Sequence, residues 1–140
     1  MGKVQILAVL TMDGCLSSEL YDKAHQDLCL DRCGLDEIRK KAFYRVTPDY
    51  SISMLHEWRK DCTNIRYLAE ATPDTADYIN GLLRMHAVDE IILYTVPFIS
   101  GSGRHFFKSA LPEQHWTLSS LKSYPNGVCR IIYILDKCRY

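Results

Sequence analysis

The spacing of apolar and polar residues changes several times along the chain, and each change predicts an element. Val4 to Leu10 is an apolar, β-rich run that reads as a buried strand. It closes on Thr11-Met12-Asp13-Gly14, a turn signal. Residues 17–34 are polar with little period and read as a loop with a helical piece around Tyr21 to Leu30. A short helix is expected over Asp36 to Ala42 and a short strand over Phe43 to Val46. Thr47-Pro48-Asp49 carries helix-start chemistry, ahead of an apolar stripe at Ile52, Leu55 and Trp58. Ile65 to Ala69 reads as a strand. Thr72-Pro73-Asp74 repeats the helix-start pattern, and Ala76, Ile79, Leu82 and Leu83 follow at helical spacing.

The most apolar stretch runs from Val88 to Phe107. It passes from the acidic pair Asp89-Glu90 into an almost continuous strand, breaks at Gly101-Ser102-Gly103, and resumes at Phe106-Phe107. A strand apolar on both sides belongs in the middle of a covered sheet. Trp116 to Tyr124 and Gly127 to Leu135 read as strands joined around Asn126-Gly127, a hairpin signal. Strand and helix alternate first and a hairpin comes last. That order implies a single α/β domain over 1–140, with a mostly parallel sheet, an antiparallel C-terminal hairpin and helices on both faces.

Composition narrows the function classes. Apolar residues are 47% and charged residues 24%, as in an ordinary soluble globular domain. Acidic and basic residues number 17 each, which gives no general pull toward nucleic acid or an anionic membrane. No leader-like segment or membrane-length apolar run is apparent, so the chain reads as cytoplasmic. The six cysteines include no C-x-x-C pair. Cys29 and Cys33 are spaced to share a helical face with His25, but reduced, partly buried thiols are the stronger reading and no metal is expected. Ile99-Ser100-Gly101-Ser102-Gly103 lacks the first glycine of a nucleophile elbow, which argues against a serine hydrolase.

The Gly-x-Gly break lies just past the carboxyl end of a central strand, where open α/β sheets hold ligands. Glycines there let backbone approach a phosphate or flat ring. A tight turn closing a buried strand explains the same residues. Asp13 is either a turn cap or a substrate-facing carboxylate. Glu90 is either half of a solvated pair or a site residue. Arg104, beside the break, is either a guanidinium fork that meets a phosphate or a surface charge.

Taken in order, these segments resemble a family. Thr11-Met12-Asp13-Gly14, Val88-Asp89-Glu90 with Tyr94 and Pro97, Gly101-Ser102-Gly103-Arg104 with Phe107, and Asn126-Gly127-Val128 with Tyr133 are similar to motifs of the reductase domain of the bifunctional riboflavin-biosynthesis deaminase-reductase and its dihydrofolate-reductase-like relatives. The resemblance implies a dihydrofolate-reductase-like fold, shortened in its cofactor half. It implies NADPH as cofactor and hydride transfer to a small heterocycle or sugar-linked pyrimidine. It places Asp13 and Glu90 on the substrate side as catalytic residues. Thr11, Thr47, Gly101, Ser102, Gly103 and Arg104 fall to the cofactor. The expected partner is a small-molecule substrate, with no nucleic acid and no membrane. A homodimer would cover a sheet edge near the C-terminal hairpin.

Two residues depart from the family's phosphate-binding Gly-x-x-Thr element, whose place Thr47-Pro48-Asp49-Tyr50-Ser51 takes. Pro48 has no N–H to donate. Asp49 would repel a phosphate charge at ~5 Å by about 3 kcal/mol at an effective dielectric near 20. Arg59, Lys60 and Arg66 lie nearby in sequence and read first as solvated charges. The same residues therefore also suit a non-catalytic relative that keeps the scaffold and binds a small ligand or a protein partner.

Overall fold

The computed structural model describes residues 2–16, 33–60, 65–97, 99, 101, 104–107 and 111–135, with Arg59 and Arg104 described by backbone alone. The element order is β1 (Lys3–Leu10), β2 (Cys15–Leu16), α1 (Leu35–Lys41), β3 (Tyr44–Arg45), α2 (Ile52–Lys60), β4 (Arg66–Glu70), α3 (Ala76–Arg84), β5 (Glu90–Thr95), β6 (Arg104–His105), β7 (Trp116–Ser123) and β8 (Cys129–Leu135). The helix expected near Tyr21 lies outside the described residues.

Six strands form one sheet in the order β3-β4-β1-β5-β8-β7. The first four are parallel, and β8 and β7 add on antiparallel. β1 is buried along seven of its eight residues, which explains its unbroken apolar run at the middle of the sheet. The chain leaves β1 toward β3 by way of α1, then returns by way of α2 and α3 across β1 to β5. Parallel crossovers are right-handed, so reversing the direction of travel moves the helices to the other face. Side chains of β1 alternate accordingly. Val4, Ile6, Ala8 and Leu10 pack with Leu55 of α2 and with Ala76, Ile79, Leu82 and Leu83 of α3. Leu7 and Val9 pack with Cys33 and Leu35 at the start of α1.

Both Thr-Pro-Asp segments form turns just before their helices instead of the first helical turn. Tyr50 N–H bonds Thr47 O at 3.1 Å, and Thr75 N–H bonds Thr72 O at 3.1 Å. Proline's fixed φ suits the second position of such a turn. Ser51 caps α2, its Oγ accepting the Met54 N–H at 3.1 Å, whereas α3 begins after Thr75 without a side-chain cap. The C-terminal hairpin turns through Tyr124-Pro125-Asn126-Gly127, with Gly127 at φ 89. Gly127 N–H bonds Tyr124 O at 3.0 Å and Tyr124 N–H bonds Val128 O at 2.9 Å. The left-handed glycine closes the three-residue loop that proline opens.

The acidic pair is not a solvated pair. Asp89 is 5% exposed, and its Oδ2 accepts the Val4 N–H at 2.9 Å. Its backbone N–H meets Val4 O and its carbonyl meets Leu135 N–H, which ties the amino ends of β1 and β5 to the end of β8. Among the described residues, no helix is long and apolar enough to cross a membrane, and no cluster of His, Cys, Asp and Glu could hold a metal ion. Cys29 and His25 lie outside them.

Candidate functional site

The carboxyl ends of β3, β4, β1 and β5 share one edge of the sheet. Onto this edge the fold brings the Thr47 turn, the Thr72 turn, the Thr11–Gly14 turn and the segment after β5. Open α/β sheets hold ligands there.

Asp13 organises the edge. One carboxylate oxygen accepts the Thr11 hydroxyl, and Oδ2 accepts the Gly101 N–H at 3.0 Å. Thr11 Oγ1 in turn accepts the Cys15 N–H at 3.0 Å. Thr11 is 2% exposed, so its hydroxyl shapes the turn from inside. Asp13 itself is half-buried. Its carboxylate thus joins the turn after β1 to the glycine segment after β5, two loops 88 residues apart in sequence.

Gly14 and Gly101 stand at φ 78 and 74, a region L side chains rarely adopt. A Cβ on Gly101 would meet nothing within 4 Å. That position is open for close backbone approach by a flat or charged ligand. Ser102 and Gly103 lie outside the described residues.

The segment after the break is held from three directions. β6 pairs antiparallel with β2, setting His105 opposite Cys15 and Arg104 opposite Leu16. Phe106 N–H bonds Gly14 O at 3.1 Å, and the Phe106 ring is fully buried in the core beneath α2 and α3. Asn80, wholly buried on α3, donates to both Ala76 O and Phe106 O at 2.7 Å. The apolar run resumes at Phe106 because that ring anchors the loop. The sequence reading gave His105 no functional role, yet its Nδ1 lies 3.9 Å from Cys15 Sγ and 3.9 Å from where a Cβ on Gly14 would sit. It is exposed and is a titratable group beside the Asp13 turn. Only its pairing with β2 reveals this, and β2 is too short to leave a periodic signal.

Glu90 does not join Asp13. It opens β5 at the amino end, paired with Gln5, and accepts the Gln5 Nε2–H at 3.1 Å. Asp13 lies past Leu10, which pairs with Thr95. Five strand steps separate Glu90 from Thr95, roughly 17 Å. The expectation of two carboxylates on one substrate side is corrected by strand direction: a residue before a parallel strand and one after its neighbour sit at opposite ends.

Thr47 is exposed at the shared edge, but outside β3, with β4 between it and β1. Its turn spends the Tyr50 N–H on Thr47 O, Pro48 has none, and Asp49 is exposed beside them. This turn does not fit a phosphate. Gly101 does fit a cofactor's close approach, because its left-handed backbone faces open space.

No protein-family model matches the sequence, and no curated protein matches it. Solved structures do match. A Shewanella sp. PV-4 protein assigned to riboflavin biosynthesis superposes with a TM-score of 0.64 at 11% identity, covering 96% of this chain and 99% of that one. RibD of Acinetobacter baumannii superposes with a TM-score of 0.60 at 12% identity over 98% of this chain. The chain has a RibD reductase-like fold. It spans 59% of the RibD chain. This likeness is one of fold, and the fold class read from the sequence agrees with it.

Proposed function

We propose that this chain is a reductase of the riboflavin-biosynthesis pyrimidine-reductase type. It would act on a small heterocyclic or sugar-linked pyrimidine at the carboxyl edge of its sheet. The observation that carries the reading is the Asp13 carboxylate accepting the Gly101 N–H, which ties the open Gly101 backbone to the turn after β1. NADPH, when bound, supplies the hydride. Gly101, with Ser102, Gly103 and Arg104 after it, would hold that cofactor, and the Thr47 turn would not. Asp13 orients the loop and keeps a carboxylate at the substrate side. His105 places an imidazole close to the Asp13 turn, where a reduced ring would take up a proton. The Asp13–Gly101 tie would supply orientation, which is much of what a protein adds to hydride transfer. Calorimetry of NADPH and NADH tests the reading.

One observation favours a second reading. The Thr47-Pro48-Asp49-Tyr50 turn closes on itself and shows a carboxylate where the family places phosphate donors. A relative that binds a small ligand or protein partner without cofactor satisfies that arrangement. Absence of pyridine-nucleotide binding, with pyrimidine ligands still bound, would select it.

A homodimer belongs to the same proposal. A bulge between Leu118 and Ser120 lets Leu118 oppose Tyr133 and Leu121 oppose Ile131 on one face of the hairpin. Leu118 is 52% and Leu121 63% exposed. Ile131 in turn pairs with Leu93 of β5, so the apolar rows continue across three strands. Exposed apolar sheet surface of this kind marks an association face.

A further inference from the structure

A cavity lies at the opposite end of the sheet from the Asp13 turn, between α1 and the amino ends of the parallel strands. Its volume is about 210 Å³. That is below the ~300 Å³ at which drug-sized pockets begin, so its occupant is small. Ile38 of α1, Ile92 of β5 and Ile132 of β8 give it apolar walls. Three cations also line it: Lys41, Arg66 and Arg130.

Arg130 is the unusual member. It pairs with Tyr94 across β5 and β8, and its Nη1 passes 3.2 Å from where a Cβ on Gly34 would stand. Gly34, at φ 83, lets the guanidinium cross the start of α1. The Arg130 Nε is buried and has no hydrogen-bond partner among the described residues. The guanidinium meets the Tyr94 hydroxyl on one side, and a carboxylate or phosphate oxygen at its remaining donors would add a charge-assisted hydrogen bond. Lys41 and Arg66 stand exposed at the rim with no ion-pair partner among the described residues. Two acids line the cavity as well. Glu90 is occupied by the Gln5 amide, while Glu37 is exposed on α1. Cations therefore outnumber acids three to two, and one of the two acids is already engaged by a neutral donor.

We propose that this cavity is a binding site for a small oxyanion carried on an apolar body, with the anionic group received by Arg130 and the rim cations. Carboxylates and phosphate monoesters share that chemistry. The site is separate from the Asp13 edge and does not depend on the reductase reading.

The test is titration of the full chain with benzoate, phenyl phosphate and inorganic phosphate. It is followed by NMR at the Arg130 side-chain Nε–H and by calorimetry. A saturable shift of that resonance with benzoate or phenyl phosphate is expected, and the tighter of the two identifies the source. Arg130→Met should weaken binding by roughly ten-fold or more, the scale of one charge-assisted hydrogen bond. Lys41→Gln, at an exposed position, should weaken it several-fold and serves if Arg130→Met does not fold. Asp13→Asn should leave it unchanged. No saturable shift with any of the three probes overturns the proposal. So does binding that survives Arg130→Met and Lys41→Gln, or binding that Asp13→Asn abolishes.

Discussion

At the residue scale, two carboxylates carry much of the account, and they do different work. Asp13 holds a loop at the carboxyl edge, and Asp89 staples strands at the amino edge. Replacing Asp13 by alanine removes the acceptor for Gly101 N–H. The exchange rate of the Gly101 amide should then rise by about ten-fold or more, as expected for loss of a bond to a charged group. An unchanged rate would mean the loop is held by something else. Asp89→Ala leaves the Val4 N–H without its side-chain acceptor in a buried setting. It should cost about 1–3 kcal/mol in a urea titration, whereas Glu90→Gln should cost well under that. Glycine signals were legible in the sequence, since Gly14, Gly101 and Gly127 all stand at positive φ. The partners of Asp13 and Asp89 were not, because hydrogen bonds between segments more than 80 residues apart leave no local pattern.

At the element scale, α1 is anchored by the residues that lead into it more than by its length. Tyr94 and Tyr124 both donate to the Cys33 carbonyl at 2.8 Å, using both of its lone pairs. Burial pushes the Tyr94 hydroxyl up to about 12, despite the Arg130 guanidinium beside it. Burial also raises Tyr124, against the pull of Arg130. The folded state thus favours the protonated phenol. That contribution is fully present below the ordinary tyrosine pKa near 10 and is lost as pH climbs through about 12. Stability should fall across that window, and Tyr94→Phe should flatten the fall while lowering stability at neutral pH. Equal slopes in the two proteins would contradict the assignment. Strands and helices were legible here as runs and stripes, while the Thr-Pro-Asp segments misled. Their residues suit a helix start and a turn equally, and the turn won because Ser51 and Thr75 stand closer to the helices.

Across the whole molecule, the sheet separates two ends with different chemistry. The carboxyl end holds an acid-braced glycine turn and an exposed imidazole. The amino end holds a basic cavity under α1. The architecture was legible because β1 and β5 are apolar on both sides and the hairpin comes last. The placement of Glu90 was legible too, since in a parallel pair a residue that opens one strand and a residue that follows its neighbour lie at opposite ends. The apolar rows on β5, β8 and β7 predict self-association. Leu121→Glu should turn a dimer into a monomer in sedimentation equilibrium without changing the far-ultraviolet spectrum. A wild-type chain that is already monomeric would remove that face from the account.

The reductase reading stands or falls on the cofactor. The deciding measurement is calorimetry of NADPH, with NADH beside it, at low and moderate salt. The account predicts micromolar, NADPH-selective binding that is weakened in Arg104→Gln and Asp13→Ala and unchanged in Thr47→Ala. No binding at millimolar NADPH would contradict it, and would leave a RibD reductase-like scaffold that serves another ligand.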